Sequence, residues 1–347
     1  MKATAWTVAQ LGTPSEALEI RTVEVGDPGV NQVRIAVEAF CLDFNDIDTI
    51  YGRYGILKFQ PPFVVGMAAA GTVEAAGPGC EGLLGRRVVG TTTGVKGGYA
   101  SAALLDSSNL ELLPAWLSAA DGIAMYFPYL LSYFALLIRG RVVAGDVVLI
   151  HAAAGGAGSA AVQLAKAVGA TVIATAGTDD KVELCHSLGA DYGVNYRTTD
   201  FVKFVDDVTN GRGVDVAFDT VGGEVTTDTF KVMAFNGRHL IVGYASDIRS
   251  EEHALAIQPS IYGNFDLVGV AFRCVDTPRL VRLFGMNALS TAQGIEMWNR
   301  ILQMAKAGTI RPVIGREVDF DEVPAALEAL ERRETTGRLV VLPPSTV

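Results

Sequence analysis

Val147-Val148-Leu149-Ile150-His151-Ala152-Ala153-Ala154-Gly155-Gly156-Ala157-Gly158 is the stretch on which the fold turns. Four consecutive apolar residues predict a buried strand, the glycines a tight turn, and residues 159–168 the body of a helix. A second β-rich segment, Ala170-Thr171-Val172-Ile173-Ala174-Thr175-Ala176, follows at once, so the whole predicts one βαβ unit. At such a turn glycines let the backbone approach a pyrophosphate closely. The helix N-terminus adds unpaired N–H groups and a partial positive charge. A glycine triplet alone is weak evidence. Between an apolar strand and an amphipathic helix it becomes a strong dinucleotide-binding signal. The pattern departs from Gly-x-Gly-x-x-Gly at its first position, where Ala153 stands. Alanine suits that place as long as φ stays negative.

Outward from this unit, the whole chain sets bounds. At 347 residues it is long for one core and suits two domains, and half of it is apolar. The formal charge of −10 comes without a lysine or arginine cluster, which argues against nucleic acid as a partner. The four cysteines, Cys41, Cys80, Cys185 and Cys274, lie far apart with no Cys-x-x-Cys spacing, so neither structural zinc nor a disulfide framework is expected. The opening Met1-Lys2-Ala3-Thr4-Ala5-Trp6 reads as a strand rather than a signal peptide. A reducing, cytoplasmic setting is the expectation. Residues 122–138 carry no charge but include Pro128 and fall short of a comfortable membrane span, so they predict a buried helix packed between domains.

Three parts follow. Residues 1–121 alternate in short strands punctuated by glycine, as in Gln32-Val33-Arg34-Ile35-Ala36-Val37, and predict a partly open β-barrel or two packed sheets. Residues 122–272 alternate strands with helices and predict a doubly wound parallel sheet, with later strands at 214–219, 238–243 and 265–270. Residues 273–347 carry a helix ending near Ala307, another at 321–333, and a strand at 338–341 that returns to the first domain.

This order resembles the medium-chain dehydrogenase/reductase superfamily over nearly the whole chain. The run 151–158, Gly189-Ala190-Asp191 with Asn195-Tyr196-Arg197, Phe218-Asp219-Thr220-Val221-Gly222-Gly223 and Gly337-Arg338-Leu339-Val340 are similar to its quinone oxidoreductase (zeta-crystallin-like) branch. The resemblance implies an α/β fold: a GroES-like β-rich catalytic domain with a Rossmann nucleotide-binding domain. It also implies a zinc-free site. Where the zinc alcohol dehydrogenases carry a ligand cysteine followed by Asp, this chain has Asp43 and Asp46; where they carry Gly-His-Glu, it has Gly66-Met67-Ala68. With two of three usual ligands replaced, no metal is expected.

The second strand of the βαβ unit ends Ala176-Gly177-Thr178, with no acid at its tip to take a ribose 2′-hydroxyl. The resemblance assigns Thr178, Lys181 and Tyr196 to a 2′-phosphate, so NADPH is the expected cofactor, with Gly155, Gly156, Ala157 and Gly158 on the pyrophosphate. Gly243 and Arg338 are further cofactor candidates from matching family positions. Asp179 and Asp180 put negative charge close by and are read as N-cap residues of the Lys181 helix.

The chemistry is placed at residues 43–54. Asp46, Gly52 and Tyr54 match a pattern shared by quinone and enoyl-thioester reductases; in the latter the matching tyrosine is the candidate proton donor or the anchor for the thioester oxygen. A phenol can fill that role without carrying charge at neutral pH. Asp43 replaces the family's usual Asn, and could act near the reacting oxygen or as a helix N-cap. Leu131-Ser132-Tyr133 replaces the usual Thr-x-Tyr, so that hydroxyl is missing or shifted to Ser132. His151 is read as a packed strand residue, and His186, His239 and His253 lack metal spacing.

The expected activity is hydride transfer from NADPH to a quinone or an α,β-unsaturated carbonyl, with Tyr54, Asp43 and Asp46 as catalytic candidates. An enoyl-thioester reductase and a non-catalytic, crystallin-like NADPH-binding protein are the alternatives. Dimerisation through an edge strand at 265–272 is also expected from the resemblance.

Overall fold

The computed structural model describes residues 1–53, 58–249, 255–277, 282 and 285–344. The chain divides into two units: Met1–Tyr126 with Arg273–Trp298 and Ile314–Val347, and Phe127–Phe272 with Asn299–Val313. The division falls inside the helix Ala119–Tyr133, a few residues beyond the boundary read from the sequence, and residues 299–313 go with the second unit.

In the first unit, Val33, Ile35 and Val37 are buried at a period of two along β3 (Gln32–Leu42), as a strand with one inward face requires. β3 pairs antiparallel with β5 (Ala68–Ala76), β5 with β6 (Arg87–Thr92), and β6 with β7 (Ala102–Leu112). β7 then pairs back onto residues 32–36 of β3, so the four close into a small barrel. Gly71 is needed where the sheet bends, since a Cβ there would lie 1.9 Å from the Ala36 carbonyl oxygen. β1 (Lys2–Val8) joins β2 (Leu18–Glu24) and β4 (Phe63–Val64) in a three-stranded sheet.

After the second unit the chain returns. β14 (Cys274–Val275) and β15 (Leu289–Ser290) form a short parallel pair, and β16 (Ile314–Val318) runs parallel to β17 (Arg338–Val341). β17 lies antiparallel to β3, with Leu339 opposite Leu42 and Val341 opposite Phe40. The core joins early and late residues: Phe40, Ile47, Tyr99 and Leu105 pack with Val323, Leu327 and Val341. Trp6 Nε1 donates to the Phe320 carbonyl at 2.7 Å, pinning the return helix Val323–Glu331 through the turn before it.

The second unit is one parallel sheet of β8 (Val147–Ile150), β9 (Thr171–Ala176), β10 (Tyr192–Asn195), β11 (Val214–Asp219), β12 (Met233–Ile241) and β13 (Asp266–Gly269). Their order is β10-β9-β8-β11-β12-β13, so β8 lies between β9 and β11 at the reversal of strand order. That reversal is the topological switch point, where ligands bind beyond the C-terminal strand ends. Leu149, Ile173, Val214 and Ala217 share its core with Val205 and Val232. β10 is the strand the sequence reading missed. It is four residues long with Gly193 inside and Tyr192 exposed, too short and polar for a periodicity to show.

The charge-free run forms the helix Ala119–Tyr133 and a π-helical turn, Phe134–Arg139. Ala119–Arg139 is long and apolar enough to cross a membrane, and 67% of its most apolar 18-residue stretch is buried inside the protein. It is the sole such helix among the described residues.

Candidate active site

In the second unit, β8 ends at Ile150 and the chain turns into the helix Gly156–Ala167, with Gly155 at its N-cap. The residue that takes positive φ is Ala152, at 49°, whereas Ala153 at the first fingerprint position stays out of the left-handed region. Ala153 N donates to Thr175 O and Gly155 N to Ala152 O, each at 3.0 Å. Ser159 is the first residue whose amide bonds back into the helix, to Gly155 O at 2.9 Å. Gly156, Ala157 and Gly158 therefore carry the first-turn amides that a helix leaves without intrahelical partners. A Cβ on Gly158 would stand 2.2 Å from Ala152 O, so only glycine lets this helix cross so close to the strand end. Ser132 Oγ donates to Ala157 O at 2.9 Å, which puts its hydroxyl on this turn.

Gly243 follows β12 at the same C-terminal edge, its amide donating to Asp219 O at 3.3 Å. His151 is buried between Thr175 Oγ1 at 3.1 Å and Thr229 Oγ1 at 2.8 Å, and burial pulls its pKa down to about 4. An imidazole of this kind, hydrogen-bonded at both nitrogens, ties the end of β9 to the helix Glu224–Thr229 and does not change charge near neutrality.

At the tip of β9, Thr178 is the N-cap of the helix Asp179–Ser187, its Oγ1 accepting from Lys181 N. Asp179 and Asp180, read as the N-cap, fill the first turn instead. There Asp179 Oδ1 accepts from Asn195 Nδ2 at 2.8 Å, and Asn195 Oδ1 accepts from Arg197 N at 3.1 Å. Asp179 is thus turned toward the end of β10 and occupied. β10 pairs with β9, Asn195 opposite Ala176, which delivers Tyr196 and Arg197 to the same tip as Lys181. Partial burial, then the nearby Arg197 charge, lower the Lys181 pKa. Arg197 was visible in the Asn195-Tyr196-Arg197 motif, but no role was assigned to it there.

The reacting-end candidates belong to the first unit. Asp43 has the extended N-cap backbone of the helix Phe44–Tyr51 (φ −124°, ψ 151°), yet its side chain caps nothing. Both its oxygens go to Arg338, Nη1 to Oδ1 at 2.6 Å and Nη2 to Oδ2 at 2.8 Å. Arg338, expected on the cofactor, is therefore a bidentate partner of Asp43 at the start of β17. Asp46, one turn along, is 1% exposed; its Oδ2 accepts from Tyr99 Oη at 2.7 Å and its Oδ1 has no partner. Burial above all, then the Asp43 charge, push the Asp46 pKa up to about 8, and burial likewise raises Tyr99 well above its ordinary value.

Tyr99 was missed from sequence, because nothing local ties residue 99 to residue 46. The one local trace is Gly66: a Cβ there would lie 2.4 Å from Tyr99 Cδ1. Gly52 closes the helix at φ 70°. Arg53 Nε then donates to Asp48 Oδ1 at 2.6 Å and Nη2 to Glu331 Oε1 at 3.0 Å, with the guanidinium 4.2 Å from the Tyr51 ring centroid. Tyr54, the expected proton donor, lies outside the described residues. Among the described residues no three His, Cys, Asp or Glu side chains gather as a metal site.

Residues 29–115 match the family model for the alcohol dehydrogenase GroES-like domain, and residues 156–285 that for the zinc-binding dehydrogenase. A 2-haloacrylate reductase of Burkholderia sp is 31% identical over 332 residues, covering 92% of this chain and 93% of that protein. The human quinone oxidoreductase is 28% identical over 341 residues, 96% of each. Phthioceranic/hydroxyphthioceranic acid synthase of Mycobacterium tuberculosis is 29% identical over 340 residues, which is 97% of this chain but 15% of that longer protein. Among solved structures, mycobacterial Rv1454c complexed with NADPH has a TM-score of 0.84 at 26% identity, covering 98% of this chain and all of that one, 100%. With a GroES-like barrel, a doubly wound sheet and these matches in one polypeptide, the chain belongs to the medium-chain dehydrogenase/reductase superfamily, in its quinone oxidoreductase-like branch.

Proposed function

We propose that this chain is an NADPH-dependent, zinc-independent reductase that delivers hydride to an electron-poor alkene or a quinone. The observation that carries the cofactor half is the cationic tip of β9, where Lys181, Tyr196 and Arg197 converge and the nearby Asp179 is held by Asn195. The turn Gly155 to Gly158 fits a pyrophosphate: Gly156, Ala157 and Gly158 carry first-turn amides at a helix N-terminus, with nothing larger than the Ala157 methyl among them. Bound NADPH supplies the hydride. The substrate half draws on the relatives, a 2-haloacrylate reductase and a quinone oxidoreductase, whose named substrates are electrophilic without help from a metal.

The reacting-end residues suit that chemistry through what they neutralise. Asp43 spends its charge on Arg338, and Asp46 keeps its proton through neutrality. Neither carboxyl then opposes negative charge building on a substrate oxygen. In this reading Tyr54 donates the hydrogen bond that stabilises that oxygen, worth about 2.7–4 kcal/mol where such donors have been removed from other enzymes.

A second reading, an enoyl-thioester reductase, is favoured by the 340-residue match to the phthioceranic acid synthase. We infer further that two copies associate through the β13 edge, beside the exposed Ile257, Ile261 and Tyr262 and, on the neighbouring β12, Phe235. Four buried thiols suit a reducing cytoplasm.

The test is NADPH oxidation, with NADH in parallel, against a benzoquinone, an enal, 2-chloroacrylate and a short enoyl thioester. Turnover of a quinone or simple alkene with NADPH preferred supports the proposal, and turnover of the thioester alone moves it to the second reading. Tight NADPH binding with no turnover of any acceptor refutes reductase function in favour of a binding protein.

A further inference from the structure

The tip of β9 holds a relation that the cofactor motif does not state. Gly177 has no positive φ, so its backbone would accept a side chain; what limits it is the company. An ideal Cβ there would stand 2.8 Å from Tyr196 Oη, 3.2 Å from Tyr196 Cζ and 3.4 Å from Arg197 Nε. The end of the second strand is where a Rossmann site that takes NAD places its acid for the ribose 2′-hydroxyl. Tyr196 is half-exposed and its hydroxyl can swing away at small cost. Arg197 is different. Its guanidinium nitrogen would lie within ion-pairing reach of any carboxylate built on residue 177, and no ion pair of its own occupies it among the described residues.

We propose that Arg197 is the specificity-determining residue of the nucleotide site. It supplies a second cation, beside Lys181, to the ribose 2′-phosphate, and it disarms an acid at position 177 by pairing with it. This deepens the NADPH reading and rests on it. The geometry supports both halves. Arg197 is brought to the tip of β9 by the pairing of Asn195 with Ala176 and lies close enough for its charge to depress Lys181, and two neighbouring cations suit a dianion. The arginine's backbone is fixed by Asn195, whose other end holds Asp179, so the residue that anchors the cation also engages that carboxylate. Preference for the phosphorylated cofactor then depends on one residue in two ways, and conversion to NADH cannot be made by adding an acid alone.

A double-mutant cycle tests this on the full chain, with dissociation constants for NADPH and NADH from quenching of protein fluorescence. Arg197→Ala should weaken NADPH binding about tenfold or more, the worth of a charged hydrogen bond, and leave NADH within about twofold. Gly177→Asp should weaken NADPH without strengthening NADH. The double variant should bind NADH about tenfold better than Gly177→Asp does. Gly177→Asp alone gaining NADH as strongly as the double variant would overturn the proposal, as would equal losses of both cofactors in Arg197→Ala. Should Gly177→Asp fail to fold, Arg197→Ala and Arg197→Lys still decide: lysine keeps charge but not the fork, and unchanged NADPH affinity in the alanine variant refutes. A wild-type chain that binds NADH as tightly as NADPH would sink the cofactor reading itself, which is a separate failure.

Discussion

Replacing Asp46 by Asn tests the electrostatics of the reacting end directly. Asp46 is almost wholly buried, bonded through Oδ2 to Tyr99, and raised to about 8 from 3.8. A raised acid binds its proton more tightly in the fold than in the unfolded chain. Its contribution is therefore fully present below the unfolded pKa and is lost as pH rises toward the folded one. Each pH unit in that window removes about 1.4 kcal/mol of stability per proton. Asn keeps the shape, and its carbonyl oxygen can still accept from Tyr99, but it has no proton to gain. The stability of Asp46→Asn relative to wild type should grow by about 1.4 kcal/mol per unit from about pH 5 to about pH 8, or about 4 kcal/mol in all.

All three tryptophans, Trp6, Trp116 and Trp298, lie in the first unit, so their fluorescence in urea follows that unit alone. This sidesteps the mixed transition that a two-unit chain otherwise gives. A difference between the two proteins that stays flat across this range would mean Asp46 is ionised in the fold, and the burial argument would be wrong.

Lys181→Ala should weaken NADPH binding far more than NADH binding; equal losses in fluorescence titration would remove Lys181 from the 2′-phosphate. Ala152→Gly should stabilise the second unit by about 1 kcal/mol, because Ala152 holds a left-handed φ of 49°, and thermal unfolding by circular dichroism would read the gain. Asp43→Asn should cost the first unit about 3 kcal/mol by leaving the Arg338 charge uncompensated. Asp43→Asn with Arg338→Gln should recover most of that, and a double variant as unstable as the single would deny the pairing its role. Ile261→Glu should shift sedimentation from dimer to monomer, Ile261 being 62% exposed on the face assigned to a second copy; an unchanged mass would clear that face.

The legible parts of the molecule were those whose cause is local. The strand, turn and helix from Val147 onward announced themselves through an apolar run, glycines and a small-residue helix, and the barrel through alternation in segments such as 32–37. The return of residues 338–341 was legible too, as a terminal β segment with no partner nearby in sequence. What escaped depends on distant meetings. Asp43 has every local credential of an N-cap, and its diversion to Arg338 is decided by β17 docking on β3. Tyr99 meets Asp46 because Gly66 leaves room for its ring. Ala153 keeps out of the left-handed region as its place requires, and the residue that does turn left-handed is Ala152, a matter of backbone path that composition does not encode. Asp179 looked like a problem for a phosphate until Asn195, sixteen residues on, was seen to hold it.

The pairing of β17 with β3 also orders events on the ribosome. Asp43 precedes Arg338 by 295 residues, so at cellular rates of synthesis it waits roughly 15 to 60 seconds for its partner. Until then residues 40–42 lack the strand that covers them in the folded chain, whereas every strand of the sheet from Val147 to Gly269 precedes Arg338 in synthesis. Any lesion that stops translation before Arg338 leaves the C-terminal end of β3 uncovered and the Asp43 carboxylate without its partner, an aggregation hazard at the start of the helix Phe44–Tyr51.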